Sequence, residues 1–290
     1  MELVLHIGAH RTGTTALQQM LAGQGEVLAG AGARALVHGE IETRLPGFAA
    51  IANGGDTGPA RAALEAEARG MRCLLISEEN MIGDMGWNLR SASFYWRARR
   101  KLAAYAAFFG RAPARIALGI RSYARYWISA HAKELSYRDV SRSGLVRFAD
   151  IRDRLAEIER GWCDLVADIR EVFPDSRILV CPVEAGLPLE PLAERLVGAP
   201  LAGLVAPRER VNAAPEAGLI AAMEEIRAAE PSIGRKAMAA RLAKATPRPF
   251  AGFSPAQEAR MAERYADDLA RLAGGFAGVE LLAPEEARGA

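Results

Sequence analysis

The stretch from Leu3 to Leu21 constrains this chain more than any other. Leu3-Val4-Leu5-His6-Ile7 is an apolar run of strand length, and Gly8 ends it. Ala9-His10-Arg11-Thr12 forms a short loop that Gly13 closes. Thr14 and Thr15 then open a segment in which Leu17 and Leu21 share one helical face. The first N–H groups of such a helix have no partner inside it, and its dipole is positive at that end. Strand, glycine-bounded loop and helix therefore make a seat for an anion.

The two glycines keep the spacing of a P-loop, G-x-x-x-x-G-K-[ST], with one change. Thr14 stands where Lys normally follows the second glycine, and the basic residue is Arg11, two places before Gly13. The usual Lys reaches the β- and γ-phosphates, and the hydroxyl after it holds Mg²⁺. Without that Lys the loop is poorly equipped to stabilise a transferring phosphoryl group. It can still hold one phosphate through its backbone N–H groups and the Thr14 and Thr15 hydroxyls. A basic residue before Thr-Gly-Thr-Thr, directly after a first strand, resembles the 5′-phosphosulfate loop of sulfotransferases that use 3′-phosphoadenosine 5′-phosphosulfate (PAPS). That family usually carries Lys where this chain has Arg11. The resemblance implies that His10, Arg11, Thr12, Gly13, Thr14 and Thr15 contact the cofactor.

Downstream, Ala33–Val37 reads as a short second strand, and residues 39–59, rich in Gly, Pro, Asn and Asp, read as loop. Residues 59–69 favour a helix, with Pro59 suited to its first turn. Arg72–Ser77 is the next strand, and Glu78-Glu79-Asn80 follows it. Alternating strands and helices predict an α/β fold of three layers, with a parallel sheet and helices on both faces. Ligands of such sheets sit outside the carboxyl ends of the strands, where both the loop and this Glu pair fall. Side chains alternate along extended chain, so one of the two Glu is expected to face the cleft. A carboxylate here also suits a helix cap, or the Mg²⁺-binding acid of a kinase. The family resemblance places a catalytic Glu after a comparable strand, at Glu79 first and Glu78 second.

Residues 81–93 read as a loop that could act as a lid or bind an acceptor. Residues 94–109 read as a helix whose basic cluster, Arg97, Arg99, Arg100 and Lys101, is read first as a solvated face. Arg115–Ile120 is another strand; Arg121 stands at its end, and Ser122 can cap the helix that follows. Ser129 lies eight residues after Arg121. In the resembling sulfotransferases an Arg and a Ser at these places bind the 3′-phosphate. A guanidinium fork and a hydroxyl suit phosphate oxygens. His131, two residues on, is read as structural before it is read as a base. Amphipathic helices are expected over 145–173, and 177–181 as the last core strand before Pro182. Beyond it lie a short helix at 189–196, a polar loop at 208–212 with weak promise as a nucleotide cover, and helices at about 216–229, 235–244 and 255–273.

A chain of 290 residues can bury roughly three quarters of its unfolded surface, which predicts one domain, with a nucleotide-binding core to about residue 185 and a helical remainder. A formal net charge of +2 does not suggest nucleic acid as a partner. Cys73, Cys163 and Cys181 are far apart and lie in apolar runs, so buried free thiols are expected. Four His without a tight His/Cys cluster make structural zinc unexpected. No signal peptide or membrane span is apparent, which reads as a cytoplasmic protein. Together the resemblance implies sulfuryl transfer from PAPS, without a required metal, to a hydroxyl or amine of a small-molecule or carbohydrate acceptor that the sequence does not identify. Glu79 or Glu78 would take the acceptor's proton, and Arg11 would stabilise charge on the bridging oxygen. A kinase using ATP and Mg²⁺, and a nucleotide-binding protein without catalysis, are the alternatives.

Overall fold

A computed structural model describes residues 1–137, 147–207 and 215–283. Six strands form one all-parallel sheet: β1 (Glu2–His6), β2 (Ala33–Val37), β3 (Cys73–Ser77), β4 (Arg115–Ile120), β5 (Arg177–Pro182) and β6 (Val279–Leu281). Their spatial order is β2-β3-β1-β4-β5-β6. His6 pairs in register with Ser77 and with Ala117, and Val37 pairs with Ser77. These registers bring the residues after β1, β2 and β3 to one edge of the sheet.

Alternation along the strands sorts the core into two layers. Val4, Leu75, Ala117 and Leu179 face α1 (Thr14–Ala22), α2 (Gly25–Gly30) and a later helix, Leu189–Val197. Leu3, Leu5, Leu74, Ile76, Ile116 and Leu118 point to the other side. The chain there supplies α3 (His38–Arg44), α4 (Gly58–Ala68), α5 (Met85–Ser91), α6 (Ala98–Phe109), α7 (Tyr123–Tyr137), α8 (Arg152–Ala156) and α9 (Trp162–Val172). Leu189–Val197 is α10. It is followed by α11 (Ala217–Ala229), α12 (Arg235–Leu242) and α13 (Pro255–Gly274). Ala132 and Leu135 of α7 bury a third cluster with Ile220, Met223 and Met238 of α11 and α12.

Several expectations change. Residues 39–59 are not one loop: α3 and a 3-10 turn, Phe48–Asn53, lie within them. Ile41, Leu45, Phe48 and Ile51 are buried, and that burial outweighs the turn-forming glycines, which instead sit at the 3-10 boundaries with left-handed backbone at Gly47 and Gly54. Residues 81–93 contain α5, whose start is capped by Asp84; its carboxylate accepts the Trp87 N–H at 3.0 Å. The chain from Gly25 to Gly30 is helical as well. Residues 177–181 are not the last strand, because β6 pairs with β5 after α13 and returns the C-terminal chain to the sheet. Three residues are too few to show a period. The 208–212 loop lies outside the described residues.

Cys73 and Cys163 are buried and Cys181 is partly so; none is in a disulfide. Burial pushes the Cys163 and Cys181 thiols up to about 12. Among the described residues no helix is long and apolar enough to cross a membrane.

Candidate functional site

The loop after β1 lies against β4. Pairing continues past the end of β1, with Ile7 N–H donating to the Ala117 carbonyl at 3.0 Å and Ala9 N–H to Gly119 at 3.1 Å. The absence of a side chain at Gly119 permits this approach: a Cβ there would stand 2.4 Å from Thr12 Oγ1 and 2.9 Å from Thr12 Cβ. The Thr12 and Thr14 hydroxyls donate to the Ala9 carbonyl at 2.6 and 3.3 Å. A hydroxyl has one proton to give, so in this arrangement both act within the loop. Gly13, with φ +85°, leads into α1, which has no side-chain cap.

Arg11 carries the unusual backbone, with φ +68°. For a non-glycine residue this costs on the order of 1 kcal/mol or more and persists only where neighbours enforce it. Two contacts do so. Arg121 Nη1 donates to the Arg11 carbonyl at 3.1 Å, and Arg11 Nε donates to Ser129 Oγ at 2.7 Å. Arg121 comes from the end of β4 and Ser129, almost fully buried, from α7. Both therefore meet the loop at a single residue. Arg121 Nε is buried without an acceptor among the described residues. Burial lowers the pKa of Arg121, which marks an environment unfavourable to its charge as it stands. The Arg11 guanidinium lies beside Ser129 and is not on the wall of the cleft described below.

The two glutamates after β3 separate. Glu78 is buried and caps the 3-10 turn Glu79–Met81, accepting the Asn80 N–H at 3.0 Å and Asn80 Nδ2 at 2.7 Å. His38 Nδ1 lies 2.8 Å from Glu78 Oε2, and this contact pushes His38 up to about 9. Glu79 instead lines the cleft and accepts from Gln18 Nε2 at 2.9 Å. Burial works against the Glu79 charge, but a backbone N–H, the His38 cation and Gln18 hold its carboxyl below the ordinary range. Glu79 is thus ionised at neutral pH. His38, Glu78 and Glu79 also bring one potential metal-ligand atom each to within 4.8 Å of one another.

His10 is tied into a buried network. Tyr95 OH accepts the His10 N–H at 3.0 Å and lies 2.9 Å from His10 Nδ1; Tyr126 OH donates to it at 3.1 Å. With two donors already on it, the Tyr95 hydroxyl gives its own proton to Nδ1, and Nε2–H faces Asn80 Oδ1 at 3.2 Å. Burial lowers the His10 pKa, in keeping with this neutral form. His6, behind the loop, sits 2.7 Å from Ser77 Oγ, and burial brings it down to about 4.

Gln18, His38, Asn80 and Tyr95 are site residues the sequence did not single out. Gln18 lies one turn after Thr14 on α1, a signal that was available. His38 reaches Glu78 only because β2 neighbours β3, and Tyr95 left no local signal. His131 is fully buried, with Nε2 2.9 Å from Glu224 Oε1 and its ring against Phe148, away from the cleft. Of the basic cluster, Arg99 pairs with Glu171, Arg97 stacks on Trp96 and Lys101 donates to the Asn80 carbonyl at 3.3 Å.

The cleft has a volume of about 630 Å³. Thr15 and Gln18 of α1, His38 after β2, Glu79 after β3 and Lys133 and Glu134 of α7 are on its wall. It is continuous with the loop through His10 and Thr15. No family model, curated protein or solved structure matches this chain.

Proposed function

We propose that this protein transfers a sulfuryl group from PAPS to a hydroxyl-bearing acceptor. The observation that carries the reading is the meeting of Arg121 and Ser129 at Arg11, with a buried Arg121 N–H left without an acceptor. A buried guanidinium donor lacking a partner beside a glycine-bounded loop fits an anion held between them. The strand order places the loop on the central strand with β3 and β4 on its flanks, an arrangement in keeping with a P-loop-like fold.

On this reading the N–H groups at the start of α1 hold the 5′-phosphate, and Arg121 and Ser129 hold the 3′-phosphate. The acceptor oxygen attacks sulfur as the bond from sulfur to the bridging oxygen breaks. The acceptor proton passes to Glu79, and 3′-phosphoadenosine 5′-phosphate (PAP) leaves with the electron pair. The protein's work is in-line positioning and electrostatic stabilisation. Arg11 would exchange Ser129 for phosphate and cover the bridging oxygen, acting by charge rather than by proton donation.

The His38, Glu78 and Glu79 group favours a second reading, a kinase that places a divalent cation there, although the His38–Glu78 contact already satisfies two of the three. Thermal shift with PAP, ATP and ATP/Mg²⁺ separates the readings. Stabilisation by PAP above both ATP conditions supports sulfuryl transfer; stabilisation that requires ATP with Mg²⁺ supports the kinase. PAP release with an acceptor present distinguishes an enzyme from a nucleotide-binding protein without catalysis. Glu79→Gln is expected to lower kcat by at least a hundredfold with PAP binding nearly unchanged. Full activity in that variant removes Glu79 as the base.

A further inference from the structure

Trp87 of α5 and Trp96, just before α6, are about half exposed, whereas Trp127 and Trp162 are buried. Leaving two indoles in water is unfavourable, and both line one pocket of about 290 Å³ beside the Glu79 cleft. Asp84 is on the wall of pocket and cleft alike. The rings are held in place by cations. The Arg97 guanidinium stands 4.2 Å from the Trp96 ring centroid and 5.8 Å from that of Trp87, and the Arg90 guanidinium stands 4.5 Å from Trp87.

The charged side chains on this wall are Asp84, Arg97 and Lys101. Asp84 caps α5 and has Arg90 at 3.9 Å, so its charge is answered. Arg97 makes no hydrogen bond or ion pair among the described residues, which leaves its N–H groups free to donate. Lys101 spends one N–H on the Asn80 carbonyl and keeps two. Both belong to the start of α6, where Arg99 and Arg100 add charge and the first turn has no acid. Positive charge there works against the helix dipole. Burial first, and then the Arg97 charge, lower the Lys101 pKa against the pull of Asp84.

We propose that this pocket is a sugar subsite: one pyranose ring bearing a carboxylate stacks on Trp96 and Trp87, and Arg97 and Lys101 hold its anion. An indole packs on the C–H face of a pyranose and leaves the hydroxyl edge to water. A guanidinium with free N–H groups suits a carboxylate. The volume lies at the lower end of the range for small-molecule sites, which fits a single ring. A concave wall suits a ring that enters it more than it suits a lipid surface. On the sulfuryl-transfer reading this ring belongs to the acceptor, and the next ring of the chain lies in the cleft with a hydroxyl toward Glu79. The binding of the acidic ring does not rest on that reading.

The indole N–H signals of the full-length protein, followed by 15N-resolved NMR, test the subsite, with Trp127 and Trp162 as buried controls. The probes are cellobiouronic acid, cellobiose, acetate and phosphatidylserine vesicles. Cellobiouronic acid is expected to shift the Trp87 and Trp96 signals, to leave the controls in place, and to bind at least tenfold more tightly than cellobiose, less so as salt rises. Arg97→Gln should bring it down to the level of cellobiose. Trp96→Ala should weaken both sugars, read at Trp87. Arg99→Gln, which removes the same charge from the partner of Glu171, should change neither. Thermal melts confirm that each variant folds. No shift with cellobiouronic acid, equal binding of cellobiose, or equal shifts from acetate overturns the proposal. So does an Arg99→Gln loss as large as that of Arg97→Gln, and shifts from vesicles without shifts from the acid would assign the face to lipid instead. PAP titrated separately decides the other reading: sugar binding without PAP binding removes sulfuryl transfer and keeps the subsite, and PAP binding without sugar binding removes the subsite alone.

Discussion

Gly119 shows how one missing side chain sets the site. Its hydrogen atom faces Thr12, and the loop rests on β4 only because nothing occupies that space. In Gly119→Ala the new methyl would meet Thr12 Oγ1, Thr12 Cβ and, at 3.4 Å, the Thr12 carbonyl. Rotating one hydroxyl does not relieve contacts with Cβ and backbone, so the loop must move. Movement there carries Arg11 away from Ser129 and Arg121. On the sulfuryl-transfer reading, PAP affinity measured by calorimetry should fall at least tenfold, about 1.4 kcal/mol, with only a small change in melting temperature. Adding Thr12→Gly, which removes both side-chain contacts, should restore part of the binding; unchanged affinity in the single variant would show that the loop does not need this seat. At the same scale, Arg11 explains why loop residues are hard to assign from sequence. Its position in the motif was legible, but its left-handed backbone and the side-chain turn toward Ser129 arise from partners over a hundred residues away.

Among the elements, those that carry apolar runs bounded by turns were readable: β1, β3, β4 and β5, and the helix after the loop. The signal failed where burial had no period to display it. β6 is three residues long, and α3 is held by Ile41 amid polar neighbours. α5 had an Asp at its N-cap, a usable sign, but the glycines around it read as loop. The spacing of Arg121 and Ser129 was legible as a strand-to-helix motif; the pairing of His38 with Glu78 was not, since it needs β2 beside β3. That pairing joins two strand ends and makes a measurable claim. Glu78 raises His38 to about 9 from an ordinary 6.5, so the folded state binds the proton more tightly than the unfolded chain. Its contribution to stability is fully present below pH 6.5 and is lost as pH rises through 9. The imidazole is half exposed, and screening keeps the contribution small. NMR titration is the direct check. The His38 midpoint should drop toward the ordinary value in Glu78→Gln, while His6 stays uncharged down to about pH 4 in both proteins. A His38 midpoint near 6.5 in the unsubstituted protein would mean that the ion pair does not form.

Across the whole molecule, the C-terminal chain reaches Arg121 at the end of β4 through a relay that no local pattern reveals. Asp268 of α13 is fully buried and accepts from Tyr123 OH and, at 3.0 Å, from the Trp162 N–H. Trp162 in turn donates Nε1–H to the Arg121 carbonyl at 2.8 Å. Glu184, after β5, adds a second hold, accepting the Ser122 N–H at 3.0 Å and Tyr265 OH at 2.9 Å. The backbone at the end of β4 is thus fixed by α9, α13 and the turn after β5, and the Arg121 side chain projects from a clamped base. This makes the helical remainder part of the site rather than an appendage. Trp162→Phe keeps the aromatic packing against Phe94 and Tyr126 but removes the indole donor. The released carbonyl loosens Arg121, while the Ser129 contact still holds Arg11 in the loop. On the sulfuryl-transfer reading, the loss should therefore be confined to the 3′-phosphate: PAP binding weakens about tenfold, and AMP, which lacks that phosphate, binds as before. Unchanged affinity for both PAP and AMP in the folded variant would show that the clamp does not reach Arg121. An equal loss for both ligands would place the damage in the loop, and would mean that the two phosphate-binding halves are mechanically one.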